Sequence, residues 1–81
     1  MVDQLVKFLR KQDRKTRELI LQLIHDILEE RWEGHNIIKL HGESKLYRLR
    51  KGPLRIIFSQ EGATIKIKWV GRRDESTYEN I

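Results

Sequence analysis

The fold is decided by residues 45–70, which read KLYRLRKGPLRIIFSQEGATIKIKWV. Apolar and polar side chains alternate in three segments of this stretch, at residues 45–51, 54–59 and 64–70. Successive residues of a strand point to opposite faces of a sheet, so this alternation predicts three strands. Tight turns are predicted at Gly52-Pro53 and at Glu61-Gly62, and turns this short join neighbouring strands in an antiparallel meander.

The alternation also predicts that the two faces of this sheet differ in chemistry. One face collects apolar side chains and is expected to meet the core: Tyr47, Leu49, Ile56, Phe58, Ile65, Ile67 and Trp69. The other face collects cations with no acidic residue among them: Arg48, Arg50, Arg55, Lys66 and Lys68. Such a surface favours a polyanion as ligand, and RNA is the first candidate. A basic face that is merely hydrated is the alternative interpretation.

The excess positive charge is confined to the second half of the chain. Residues 1–34 contain seven Lys or Arg and seven Asp or Glu, whereas residues 35–81 contain ten Lys or Arg and five Asp or Glu. The formal net charge of +5 therefore belongs to the predicted sheet and the residues that follow it.

Two helices are predicted before the sheet. Leu5, Val6 and Leu9 have helical spacing, and Asp13 is a candidate N-cap for a second helix that ends at Gly34. The second helix is expected to bury one stripe of side chains: Ile20, Leu23, Ile24, Ile27 and Leu28. We therefore expect a single α+β domain over residues 1–81, in which an N-terminal helix hairpin packs on one face of a three-stranded antiparallel sheet.

The composition argues against several classes of site. The chain contains no Cys, so neither a disulfide nor a thiolate metal site is available to stabilise the fold. His25 and His35 lack the spacing of metal ligands, so we expect no metal and no cofactor. No apolar run approaches the roughly 20 residues that span a bilayer, and the start is unlike a signal peptide. We therefore expect a cytoplasmic protein without membrane contact.

Three short motifs and the order of the elements resemble the RelE/ParE superfamily of toxin–antitoxin toxins. The motifs are Tyr47-Arg48-Leu49-Arg50 in a basic strand, Gly52-Pro53-Leu54-Arg55 at the next turn, and Gly71-Arg72-Arg73 followed by Tyr78. The stretch KFLRKQDRKTRELI, residues 7–20, is similar to the helix hairpin of this family. The resemblance thus covers most of the chain.

The RelE branch consists of mRNA interferases, which cut messenger RNA in the ribosomal A site without a metal. The resemblance implies an endoribonuclease toxin that uses the RNA 2′-hydroxyl as nucleophile, with a ribosome bearing mRNA and a cognate antitoxin as its partners. It implies catalytic roles for Arg55, Arg73 and Tyr78. Together with the basic face, it implies RNA-binding roles for Arg48, Arg50, Lys51, Lys66, Lys68 and Arg72.

The chain also departs from the RelE pattern. Relatives usually have a strand before the helix hairpin, so we expect a sheet that is one strand short, with an edge that an antitoxin segment could complete. Arg48 and Arg50 stand where the best-known RelE proteins carry lysines. Because arginine does not lose its proton, these positions are expected to bind phosphate rather than act as bases. The alternatives are a ParE-like gyrase-inhibiting toxin and a non-catalytic RNA-binding module on the same fold.

Overall fold

The computed structural model describes residues 2–40 and 45–72, which form two helices followed by four strands. The helices are α1 (Val2–Arg10) and α2 (Arg14–Leu28). The strands are β1 (Asn36–Lys39), β2 (Leu46–Lys51), β3 (Leu54–Glu61) and β4 (Thr64–Arg72). The α+β class predicted from the sequence is confirmed.

The strands form one antiparallel sheet in the order β1-β2-β3-β4. The predicted strands correspond to β2, β3 and β4, and the prediction of a three-stranded sheet is wrong because β1 adds a fourth strand beside β2. Strand β1 has four residues, too few for alternation to be visible. Ile37 packs against the core, whereas its neighbour Ile38 is 45% exposed. Two adjacent isoleucines therefore gave no strand signal.

The two tight hairpins have two-residue loops whose first residue is a glycine. Lys51 lies opposite Leu54, so the first loop is Gly52-Pro53, as predicted. Glu61 lies opposite Thr64, so the second loop is Gly62-Ala63, one residue later than predicted. Gly52 and Gly62 have φ values of 56° and 59°. Glycine reaches such angles at low cost, and they suit the twist of the paired strands.

Helix α2 begins at the predicted cap but ends earlier than predicted. Oδ1 of Asp13 accepts a hydrogen bond from the backbone N–H of Thr16 at 3.0 Å, which satisfies one free donor of the first turn. The helix ends at Leu28, and Glu30 rather than Gly34 takes the left-handed conformation of the helix end, with φ of 59°.

The early end of α2 brings Trp32 into contact with the sheet. The centroid of the Trp32 ring lies 5.3 Å from those of Tyr47 and Phe58, and its Nε1 donates to the Ile27 carbonyl at 3.2 Å. The Ile27 carbonyl, in the last turn of α2, accepts this hydrogen bond in addition to one from the backbone N–H of Glu30 at 3.1 Å. Leu28, predicted to be buried, is 49% exposed, because it lies about 100° further around the helix than Ile27.

The core lies between the helices and one face of the sheet, which we call the inner face; the opposite face is the outer face. The helices contribute Phe8, Ile20, Leu23 and Ile27 to this core. The sheet contributes Leu49, Leu54, Ile56, Phe58, Ile67 and Val70. The prediction that helices cover an apolar sheet face is confirmed, with one exception among the aromatic residues.

The exception is Trp69, which a β-bulge moves to the outer face. Ile57 lies opposite Trp69 and Phe58 lies opposite Ile67, so Lys68 has no partner in the pairing of β3 with β4. An extra residue of this kind reverses the alternation that follows it. The sequence prediction that Trp69 shares a face with Ile67 is therefore wrong, and Val70 occupies the inner face instead.

The edge of β4 is partly closed by a side chain of α1. Nε2 of Gln4 donates to the Val70 carbonyl at 2.7 Å, and the Val70 N–H donates to Gln4 Oε1 at 3.1 Å. The side-chain amide thus binds β4 as the backbone amide of a neighbouring strand would. We expected a sheet edge that is open to another chain. At Val70, however, this edge is hydrogen-bonded by Gln4 of the same protein.

Candidate nucleic-acid interface

Two rows of paired residues cross the outer face and bring three arginines together. One row consists of Asn36, Arg50, Arg55 and Gly71. The adjacent row consists of Ile38, Arg48, Ile57 and Trp69. Arg50 and Arg55 are directly opposite each other, and Arg48 is two residues from Arg50 along β2. We call Arg48, Arg50 and Arg55 the arginine cluster.

The arginine cluster is half-buried rather than fully hydrated. The Nε atoms of Arg48 and Arg55 are buried, and neither has a hydrogen-bond partner. Among residues 2–40 and 45–72, no carboxylate forms an ion pair with any of the three arginines. A buried donor without an acceptor costs stability, about 1–3 kcal/mol in typical cases. Such donors mark a site where an acceptor is missing from the described residues.

The three charges also repel one another. Burial, followed by the positive charges of Arg50 and Arg55, lowers the pKa of Arg48 below its ordinary value. An arginine nevertheless stays protonated near neutral pH, so the repulsion is not relieved by loss of a proton. Like charges directly opposite in a sheet destabilise the pair, as at Arg50 and Arg55. An anion bound between them would remove this repulsion.

The opposite end of the outer face is closer to neutral. Because β3 extends to Glu61, that carboxylate lies on the outer face, where the sequence predicted no acidic residue. Lys45 Nζ lies 2.7 Å from Glu61 Oε2, and this hydrogen bond is the main reason why the pKa of Glu61 is lowered. Lys66 lies opposite Ser59 on the same face, and Lys68 stands in the bulge. Glu61 thus offsets one of the three lysines at that end, whereas no described carboxylate pairs with any of the three arginines.

The remaining candidate residues do not share the outer face. Lys51 and Arg72 align with Leu54, whose side chain lies in the core, so both project from the inner side at the end of the sheet. Arg72 is exposed there, and its Nη2 donates to Gln12 Oε1 at 3.3 Å. Arg73 and Tyr78, to which the resemblance gives catalytic roles, lie outside the described residues.

Two apolar side chains beside the arginines were not expected on this face. Ile57 is 3% exposed and Trp69 is 5% exposed, yet neither belongs to the core of the inner face. The pairing places Arg48 next to Ile57, so the aliphatic stem of the arginine can lie against the isoleucine. Ile57 is an apolar residue at a sequence position whose parity assigns it to the charged face, so its place among the arginines could have been predicted from the sequence. No feature of the sequence predicts that Trp69 lies on the outer face.

Within the described part of the chain, no group of three His, Asp or Glu side chains is placed to hold a metal ion. None of the described helices is long and apolar enough to cross a membrane.

Comparison of the chain with family models, with curated proteins and with solved structures finds no match. The resemblance to the RelE/ParE superfamily therefore rests on the sequence motifs and on the order of the elements.

Proposed function

We propose that this protein binds the phosphate backbone of RNA through the arginine cluster and cleaves messenger RNA as a RelE-like toxin. The observation that carries the proposal is the convergence of three half-buried arginines, Arg48, Arg50 and Arg55, none of which forms an ion pair with a carboxylate of the described residues. A phosphate held by the terminal nitrogens of these guanidinium groups places negative charge between the three cations.

In the proposed reaction the RNA attacks its own backbone. The 2′-hydroxyl oxygen bonds to the adjacent phosphorus as its proton leaves to a base, and the bond to the 5′-oxygen breaks as that oxygen gains a proton. The products are a 2′,3′-cyclic phosphate and a 5′-hydroxyl. The five-coordinate intermediate carries extra negative charge, which a planar guanidinium binds with two parallel hydrogen bonds.

Arg55 is the described candidate for that contact, because it stands near the start of β3, just after the Gly52-Pro53 turn. The same proposal gives charge stabilisation to Arg73 and base stacking or proton transfer to Tyr78, both on the strength of the resemblance. A cognate antitoxin would inhibit the protein by covering the arginine cluster with an acidic segment.

The binding step is tested by titrating the protein with single-stranded RNA at several salt concentrations. Each neutralised phosphate contributes about 0.7 to the slope of log affinity against log salt. Replacing Arg48, Arg50 and Arg55 together by Gln should therefore reduce the slope by about 2. The matched control replaces three exposed cations that lie outside the sheet, Arg10, Lys15 and Arg31, and should leave the slope unchanged. Equal reductions in both variants would contradict a specific phosphate site.

The cleavage step is tested with ribosome-bound message and mapping of the product ends. A 2′,3′-cyclic phosphate or a 3′-phosphate is expected, and a 3′-hydroxyl end would contradict the mechanism. Arg73→Ala should slow cleavage by about 100- to 1,000-fold while ribosome binding persists. If the folded Arg73→Ala protein arrests growth as strongly as the original, the gyrase-inhibiting function of ParE-like toxins becomes the better proposal.

A further inference from the structure

The β1 end of the outer face carries two side chains that differ from the arginines beside them. Asn36 lies directly opposite Arg50, and Ile38 lies directly opposite Arg48. Directly opposite residues of an antiparallel pair have Cβ atoms about 4.5–5.5 Å apart, so both side chains border the arginine cluster. At the edge of the sheet the cluster is therefore flanked by one amide and one aliphatic side chain.

Ile38 is an exposed apolar side chain on an otherwise basic face. It is 45% exposed and lies at the edge of the sheet. The other exposed large apolar side chains of the described residues belong to the helices: Val6, Leu19, Leu21 and Leu28. Isolated exposed apolar residues are common on protein surfaces, so exposure alone does not indicate a ligand. Edge strands, however, are commonly protected by charged side chains, and on the outer side of β1 an isoleucine stands instead.

Asn36 adds hydrogen-bonding groups that have no partner within the described residues. Its side chain is exposed and forms no hydrogen bond within residues 2–40 and 45–72. The amide has two N–H donors and one carbonyl acceptor on adjacent atoms. An anionic phosphate offers acceptors alone and would use only the donors. A nucleobase matches the whole amide, because its edge presents a donor and an acceptor side by side.

We propose that Asn36 and Ile38 form a nucleobase subsite for a nucleotide whose phosphate is bound by the arginine cluster. The face of the base lies on Ile38, and the edge of the base forms hydrogen bonds with the Asn36 amide. One nucleotide reaches both sites, because a single ribose separates a base from its phosphate and each of the two residues borders an arginine. This inference rests on the proposed function, and it assigns base binding rather than catalysis to Asn36 and Ile38.

The subsite distinguishes RNA from a polyanion that has no bases. Contacts to phosphate position a nucleic acid without reading its bases, so the arginine cluster by itself would bind any polyphosphate chain. The test therefore compares the affinity for a single-stranded RNA of twelve nucleotides with the affinity for inorganic polyphosphate. The site variants are Asn36→Ala and Ile38→Thr, and threonine keeps the strand preference of isoleucine. The matched controls are Ser59→Ala, at the lysine end of the outer face, and Leu21→Gln, on the exposed side of α2.

The site variants should weaken the binding of RNA and leave the binding of polyphosphate unchanged. Asn36→Ala should weaken RNA binding about 2- to 10-fold, which corresponds to the loss of one hydrogen bond. Ile38→Thr should weaken it about 4-fold, which corresponds to the loss of one buried methylene group. Ser59→Ala and Leu21→Gln should change neither affinity. Both site residues are exposed, so both variants are expected to fold, and circular dichroism verifies this.

The measurements separate this inference from the proposed function. If the original protein binds no RNA in a salt-dependent way, the proposed function fails and this inference fails with it. If the arginine-cluster variant loses RNA binding but Asn36→Ala and Ile38→Thr bind RNA like the controls, only the base subsite is refuted. Equal losses of RNA and polyphosphate binding would also refute it. So would a dimer in sedimentation that Ile38→Thr converts to a monomer, because β1 would then pair with a second copy of the chain.

Discussion

Gln4→Leu should destabilise the protein by removing a side-chain link between α1 and the backbone of β4. The change eliminates two hydrogen bonds, one from Gln4 Nε2 to the Val70 carbonyl at 2.7 Å and one from the Val70 N–H to Gln4 Oε1 at 3.1 Å. Each such bond contributes about 0.5–1.5 kcal/mol net, so the expected loss is about 1–3 kcal/mol in the free energy of unfolding. Leu and Gln have similar helix propensities, so α1 itself should be little affected.

Urea unfolding measures this loss of free energy directly. In thermal unfolding, the same loss should lower the melting temperature by about 5–20 °C for a domain of this size. Gln22→Leu is the matched control, because Gln22 is exposed on α2 and donates only to Asp26 of its own helix. Hydrogen exchange gives an independent measurement, since the Val70 amide should lose protection in Gln4→Leu but not in the control. If Gln4→Leu unfolds within about 0.5 kcal/mol of the original protein and the Val70 amide stays protected, the amide does not close the edge of β4.

Two further predictions concern charge. The hydrogen bond from His35, whose Nε2 lies 2.9 Å from Asp26 Oδ2, is the main reason why the pKa of Asp26 is lowered below 3.8. The ionised carboxylate therefore stabilises the folded state above pH 3.8, and this stabilisation is lost as the pH falls through the lower pKa of the folded protein. The free energy of unfolding in urea, measured from pH 6 to pH 2, should depend less on acid in Asp26→Asn than in the original protein. An identical dependence would contradict the assignment. Arg50→Gln removes one of two like charges that face each other, so we expect it to raise the free energy of unfolding by about 0.2–1 kcal/mol while weakening RNA binding.

The sheet and its inner face followed from the sequence because alternation is a direct consequence of strand geometry. Tyr47, Leu49, Ile56, Phe58, Ile65 and Ile67 all contribute to or pack against the core as predicted. Alternation has one weakness, which is that a single inserted residue reverses it. Lys68 is such a residue, and nothing in IKIKWV distinguishes a bulge from a regular strand.

The end of α2 shows a different limit of prediction from sequence. Gly34 is the residue that local preference selects for a left-handed helix end, and it does adopt a φ of 83°, but in the turn that leads to β1. The helix ends at Leu28 because Trp32 has to reach Tyr47 and Phe58, contacts that lie in distant strands. Tertiary packing therefore overrode the local signal, and Glu30 adopts a conformation that glycine adopts more easily.

The residues of the candidate site could be predicted from the sequence, but the burial of their side chains could not. The parity of β2 and β3 placed Arg48, Arg50 and Arg55 on one face, and the pairing of the strands agrees. Burial of the Nε atoms of Arg48 and Arg55 depends on how each side chain lies against the sheet, which no sequence pattern reports. Lys51 and Arg72, predicted with them, project from the other side because each aligns with Leu54.

The other buried side-chain nitrogens and oxygens of the described residues have hydrogen-bond partners, and the arginine cluster stands in contrast to them. The Trp32 indole donates to a helix carbonyl, and Gln4 satisfies both polar groups of Val70. Among the buried side-chain nitrogens and oxygens of these residues, those without a partner are the Nε atoms of Arg48 and Arg55. A chain selected for stability alone would replace such residues at little cost, since apolar or neutral side chains fit a half-buried face. Their presence is better explained by a bound anion that neutralises the three adjacent positive charges.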